Sequence, residues 1–180
     1  MIPEMLTVNG VSYSVVRLLG HGKGGYSYLA EGDRGPVVVK QIHHEPCDYY
    51  QFGDKIAAEC RDYERLQAAG IPMPRMIDVD MGAERIVKEF IDGPTVAELV
   101  RQDRMTEAIF AQGQHIANLA RAAGLNIDYY PTNFVLQNGA LFYVDYECNP
   151  FMEAWSFEGW GAQYWSKTEA FMEKLGTPGK

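Results

Sequence analysis

The chain has 180 residues, 47% of them apolar and 22% charged, which suits one domain or two small lobes and excludes a disordered or fibrous polypeptide. Sixteen basic against 24 acidic residues give a formal charge of −8, with no basic block of five or more, which argues against a nucleic-acid backbone binder. No run approaches the roughly 20 consecutive apolar residues of a membrane helix, so no membrane partner is expected. The start Met1-Ile2-Pro3-Glu4-Met5 lacks the basic and apolar regions of a signal peptide. Cys47, Cys60 and Cys148 are odd in number and lack CxxC spacing, so neither a disulfide framework nor a zinc site is expected, and a reducing cytoplasmic setting follows.

In chain order, the first 42 residues predict three strands. They are Val11 to Leu18, which alternates only partly, Tyr26 to Glu31 after a glycine cluster, and the β-branched run Val37 to Ile42. Ile56, Cys60, Tyr63 and Leu66 at helical spacing predict a helix over 54–69, with Gly70 as its stop. Two strands follow, near Met76 to Asp80 and Arg85 to Phe90. Thr95 with Glu98 is a capping box for a short helix to Arg101. A longer helix is predicted over 106–123, then a loop from Asn126 to Asn133. A hairpin of 134–136 and 141–144 turns at Asn138-Gly139. Phe157, Trp160, Gly161, Tyr164, Trp165, Thr168, Phe171, Met172 and Leu175 step by three and four, predicting a last helix with a core-facing stripe. The order is α+β: a strand-rich part with one helix over 1–90, a junction at 91–95, and a helical part with one hairpin over 96–180.

Three groups of residues carry chemistry. Gly20-x-Gly22-x-x-Gly25 lies between two strands, where glycines let the backbone approach a phosphate closely. The same cluster also suits a plain hairpin turn. A dinucleotide fingerprint would open a helix instead, and no Walker-type Gly-Lys-Ser/Thr is present. Lys40 ends the Val37-Val38-Val39 strand, where an ammonium needs an anion. Glu59 and Glu64 on the next helix are the candidate carboxylates, Glu59 on the inward side. Asp128 and Asn133 stand five apart in a loop, and Asp145 follows the hairpin's second strand. One carboxylate can take a hydroxyl proton, while an amide oxygen and a second carboxylate suit Mg²⁺.

Glycine loop, strand Lys, helix Glu, connecting strand, Asp-x4-Asn and final Asp, in that order, resemble the protein-kinase-like superfamily. Glu59-x12-Pro72-x-Pro74 and Val144-Asp145-Tyr146-Glu147 are similar to its small atypical branch: RIO-type kinases, the small kinase of the KEOPS complex, and aminoglycoside or choline phosphotransferases. The resemblance implies a two-lobed kinase-like fold and a phosphotransferase using ATP and Mg²⁺, with a hydroxyl of a protein Ser/Thr or a small molecule as acceptor. It implies that Gly20, Gly22 and Gly25 cover the ATP phosphates and that Lys40, held by Glu59, contacts the α and β phosphates. Backbone groups of Glu89 and Ile91 would read adenine. Asp128 would orient or deprotonate the acceptor, and Asn133 and Asp145 would bind Mg²⁺. A nucleotide-binding pseudokinase, or an ATPase module of a larger assembly, is the alternative.

The sequence departs from the superfamily pattern at several points. Asn126 replaces the usual His of His-x-Asp. Gly22-x-Gly24-x-x-Ser27 is a second register for the loop, and Lys88 stands at the gatekeeper position. Only 35 residues follow Asp145, without an Ala-Pro-Glu segment, so a minimal C-terminal lobe is expected. An oligomer or protein partner would then complete the acceptor site. His43-His44 with Cys47 reads as a solvated loop rather than a metal site, and His21, within the glycine loop, as a surface histidine more than as a phosphate contact. Trp155 falls off the helical stripe and is a candidate for stacking on a ligand.

Overall fold

The computed structural model describes residues 1–46 and 54–178. The chain divides into two compact units, Met1–Arg61 with Pro74–Phe90, and Asp62–Met73 with Ile91–Lys180.

The first unit is built on a six-stranded antiparallel sheet. Its strands are β1 (Met5–Val8), β2 (Val11–His21), β3 (Gly25–Gly32), β4 (Gly35–Ile42), β5 (Met76–Asp80) and β6 (Arg85–Glu89), in the order β1-β2-β3-β4-β6-β5. The strand β1 is additional to the three expected before residue 43. Its signal is Asn9-Gly10, whose φ of +47° and +82° form the two-residue turn that joins β1 to β2. β2 alternates only partly because its register shifts between Val15 and Arg17 and again between Leu18 and Gly20. Each irregularity resets which residues face the core. Leu6, Val8, Tyr13, Tyr28, Ala30, Val39 and Val87 form the apolar core of this unit. Helix α1 (Lys55–Ala68) is divided between the two units at Arg61/Asp62, and Gly70, at φ +80°, follows its end.

The second unit carries α2 (Val96–Arg101), α3 (Glu107–Ala122), β7 (Leu125–Ile127), β8 (Phe134–Gln137), β9 (Ala140–Tyr143), β10 (Cys148–Pro150) and α4 (Glu169–Leu175). Thr95 and Glu98 form the expected capping box. β8 and β9 form the expected hairpin, with positive φ at both Asn138 and Gly139. The expected loop from Asn126 is in part a strand, because β7 pairs with β10. Three-residue strands carry too little alternation to be read from sequence.

The single last helix is not formed. A 3-10 turn at Gly161–Tyr164 precedes α4, which starts at the cap Thr168. A Cβ at Gly159 would lie 2.5 Å from Glu153 O, and one at Gly161 would lie 2.4 Å from Tyr129 Cβ. Close approach therefore demands glycines where a helix would want better formers. The three-residue step survives, because 3-10 turns also bring i and i+3 together. Phe157, Tyr164, Trp165, Phe171 and Leu175 are buried in the core of the unit, as their spacing implied. Trp165 is the bulkiest of its fully buried side chains. Its indole N–H donates to Tyr129 O at 2.8 Å, and a Cβ at Gly113 would come within 2.4 Å of its ring.

Candidate functional site

In the first unit the glycine cluster is a tight turn between β2 and β3, closed by Gly22 N–H donating to Gly25 O at 3.0 Å. Gly25 must be glycine, since a Cβ would sit 2.3 Å from Gln41 O of the neighbouring strand. Gly20 and Gly22 face open space. Gly24, from the second register, lies against the charged pair. A Cβ there would be 3.1 Å from Lys40 Nζ and 3.2 Å from Glu59 Oε1.

Lys40 lies on β4 and is buried, and its Nζ pairs with Glu59 Oε1 of α1. Glu64 is exposed. The side chains of the pair are only 11% and 14% exposed, so solvent screens the attraction weakly. Among the described residues, Glu59 Oε2 is buried without a hydrogen-bond partner. Lys55, also buried, reaches the turn from α1. Its ammonium donates to Lys23 O at 3.2 Å and to His43 O. A lysine at a helix start carries no sequence signal for this, since most are solvated.

The second unit holds the acidic residues by backbone pairing. Ile127 pairs with Cys148 and Phe134 with Tyr143, so two ladders bracket the segments 128–133 and 144–147. Val144 N–H donates to Asn133 O at 2.9 Å and links these segments directly. Asn133 Nδ2 donates to Asp128 O at 3.3 Å, which turns its amide oxygen away from that contact. Asp128 Oδ1 accepts from Tyr130 N–H at 3.1 Å, and Asp145 Oδ1 accepts from Tyr146 N–H at 2.7 Å. Asp128, Asn133 and Asp145 are all partly exposed.

Tyr143 lies beneath this bracket and was not among the residues the sequence singled out. It is fully buried, accepts from Asp128 N–H at 3.3 Å and donates to Glu147 O at 2.8 Å. One hydroxyl thereby fixes the backbone on both sides of the acidic set. Burial, followed by the negative charge of Asp145, holds its phenol well above the ordinary value of 10.0. Burial likewise pushes Tyr129 up to about 12 and, with Asp62 beside it, the Cys148 thiol up to about 12.

The remaining expected residues fall as follows. Glu89 is exposed and ends β6, and its N–H donates to Arg75 O at 2.9 Å. Ile91 is buried in the second unit. Lys88 is buried on β6. Trp155 is 54% exposed and packs edge-on against Trp160. Cys47 lies outside the described residues. His44 turns to Glu84, at 2.7 Å.

No protein-family model matches the chain. Over 88 residues, 49% of this chain and 42% of the relative, it is 31% identical to a protein of Archaeoglobus fulgidus named "Probable serine/threonine-protein kinase BUD32 homolog". Over 96 residues, 52% of this chain and 44% of the relative, it is 26% identical to the "KEOPS complex subunit Bud32" of Pyrococcus abyssi. The aligned stretch spans less than half of either relative. These similarities support the resemblance to the small atypical branch of the protein-kinase-like superfamily.

Proposed function

We propose that the chain is a minimal kinase-like phosphotransferase that moves the γ-phosphoryl of Mg-ATP to a hydroxyl of a protein Ser/Thr or of a small molecule. The observation that carries this reading is the buried Lys40–Glu59 pair against the glycine turn. Two charges are expensive to bury for stability alone. They are well placed to present an ammonium to a polyanion beside a turn whose Gly20 and Gly22 face open space. In this reading Gly20, Gly22 and Gly25 cover the phosphates, and Lys40 contacts them. Glu59 keeps the ammonium in place, and backbone groups of Glu89 and Ile91 read the adenine edge.

The acidic set fits the rest of the chemistry. The oxygens of Asn133 and Asp145 are the hard donors a Mg²⁺ ion takes, and Asp128 orients or deprotonates the acceptor hydroxyl. Bound Mg-ATP supplies the transferable phosphoryl group and the cation that offsets its charge. The chain supplies position and fixed charge, which dominate phosphoryl transfer.

The test is transfer from γ-labelled ATP to the protein itself and to a panel of protein and small-molecule hydroxyls, for wild type and Asp128→Asn. The asparagine keeps the turn bond to Tyr130 N–H and removes the base. The reading predicts transfer that falls about 10²–10⁴-fold in the variant. Equal transfer by both proteins would contradict it.

A second reading draws on the name of the Pyrococcus abyssi relative, a KEOPS complex subunit, and on the exposed Met152 and Trp155. In it the chain is a nucleotide-binding or ATP-hydrolysing module that a protein partner, or a second copy of the chain, completes. Hydrolysis without an acceptor, raised by an added partner protein, separates it from the first reading.

A further inference from the structure

At the mouth of the glycine turn three side chains converge that the phosphotransfer reading does not use. His21 ends β2, and His43 and Glu45 follow β4. One donor atom from each lies within 4.8 Å of the others. His21 Nε2 is 3.4 Å from Glu45 Oε2, close to the roughly 3.3 Å that two ligands of a tetrahedral zinc ion keep.

Each of the three is oriented by another group. His43 Nε2 lies 2.8 Å from Gly22 O. A carbonyl only accepts, so the proton sits on Nε2, and Nδ1 keeps the lone pair that now accepts from Glu45 N–H at 3.2 Å. That is the tautomer a metal-ligating histidine needs, with its second nitrogen donating to a backbone carbonyl. Glu45 Oε1 accepts from the Tyr26 hydroxyl at 2.5 Å, which leaves Oε2 facing His21. The His21 ring stacks on Tyr26 with centroids 4.2 Å apart and planes 3° from parallel. Lys55 holds the carbonyls of both Lys23 and His43. Lys55 thereby anchors the backbone at Lys23 and His43, and an ion needs only to replace the Glu45 N–H at His43 Nδ1.

We propose that His21, His43 and Glu45 bind a borderline transition-metal ion of the Zn²⁺ class, with solvent or a ligand oxygen in the fourth position. Two imidazoles and one carboxylate select such ions over Mg²⁺ and Ca²⁺, which take oxygen sets. The cysteine spacing could not reveal this site, because its ligands come from strand ends 22 residues apart in sequence and meet only through the β2–β3–β4 pairing. Bound metal ties the end of β2 to the segment after β4 across the glycine turn. It therefore restrains the backbone from Gly20 to Tyr26. The proposal rests on the first unit alone and stands whether or not the chain transfers phosphate.

The experiment is calorimetric titration of the full chain, without nucleotide or affinity tag, with Zn²⁺, together with the visible absorption of bound Co²⁺. Wild type is compared with His21→Ala, Glu45→Gln, Tyr26→Phe and Asp145→Asn, each checked for an unchanged unfolding midpoint. The expected result is one equivalent of Zn²⁺ not displaced by excess Mg²⁺, and a tetrahedral Co²⁺ spectrum. Binding is lost in His21→Ala and Glu45→Gln, weakened about 10–100-fold in Tyr26→Phe, and unchanged in Asp145→Asn. Amide exchange over residues 20–26 slows when Zn²⁺ is added. Absence of binding at about 100 µM Zn²⁺, or equal binding by wild type and the His21 and Glu45 variants, overturns the proposal.

Discussion

The two candidate clusters are held in opposite ways. In the first unit a buried lysine and glutamate meet through their side chains, Lys40 from a strand and Glu59 from a helix. In the second, Asp128, Asn133 and Asp145 are placed by main-chain ladders and by one buried hydroxyl beneath them. A contact made by two side chains fails when either is replaced. A frame made by the backbone survives loss of the functional side chains themselves. Replacements at the acidic set should therefore separate chemistry from folding, and single replacements at the ion pair should not.

The largest stability effect that would sharpen this contrast is at the ion pair. Glu59→Ala strips the buried ammonium of its carboxylate, and chemical denaturation should show a loss of about 3 kcal/mol. The double replacement Lys40→Met with Glu59→Leu should recover most of that stability, because an apolar pair of similar volume avoids the burial of charge. It should nonetheless abolish ATP binding. Full ATP binding by the double variant would break the assignment of Lys40.

Next is Tyr143→Phe. It leaves Asp128 N–H and Glu147 C=O without the hydroxyl they share, which costs about 1–3 kcal/mol. Tyr143 touches no proposed ligand, so any loss of transfer by this variant reports displacement of Asp128 and should appear in the turnover number more than in nucleotide affinity.

The same residue gives the molecule a pH signature. A phenol or thiol whose folded pKa is raised contributes stability that is present below its unfolded pKa and lost as pH rises through the folded one. Stability therefore falls from about pH 9 upward through Cys148, and from about pH 10 upward through Tyr129 and Tyr143, each by about 1.4 kcal/mol per pH unit. All three belong to the second unit, so alkaline denaturation should be steep, and shallower by one group in Tyr143→Phe. An equal slope in both proteins would sink this account of Tyr143.

The smallest effect is expected at Gly24→Ala. The added methyl meets the far ends of Lys40 and Glu59 at 3.1 and 3.2 Å, where side chains can yield by a few tenths of an ångström. ATP affinity should fall modestly with little change in stability.

The legible parts of the sequence were those with local rules. The Thr95–Glu98 capping box, the stop at Gly70 and the Asn138-Gly139 hairpin each depend on a few neighbouring residues. Choosing Glu59 over Glu64 was also within reach, because helix periodicity separates an inward from an outward carboxylate. What escaped was set by partners distant in sequence. The strands β7 and β10 exist only as a pair, and the role of Tyr143 depends on Asp128 and Glu147 closing around its hydroxyl. The stripe from Phe157 to Leu175 is core at Phe157, Tyr164, Trp165, Phe171 and Leu175 but not at Met172, which is 50% exposed, and it is not one helix, because the spacing that marks a buried face does not distinguish α from 3-10 turns when glycines intervene. The second glycine register was visible in sequence, but only the packing of Gly24 on the ion pair gives it weight.

The central claim is that the acidic set holds Mg²⁺ for a nucleotide. The most direct test is calorimetry of ATP binding with and without Mg²⁺, on wild type and on Asp145→Asn, which keeps the turn bond to Tyr146 N–H. The account predicts Mg²⁺-dependent binding by wild type and loss of that dependence in the variant, with equal unfolding midpoints. Absence of ATP binding by folded wild type at about 1 mM nucleotide, or the same Mg²⁺ dependence in both proteins, would contradict it.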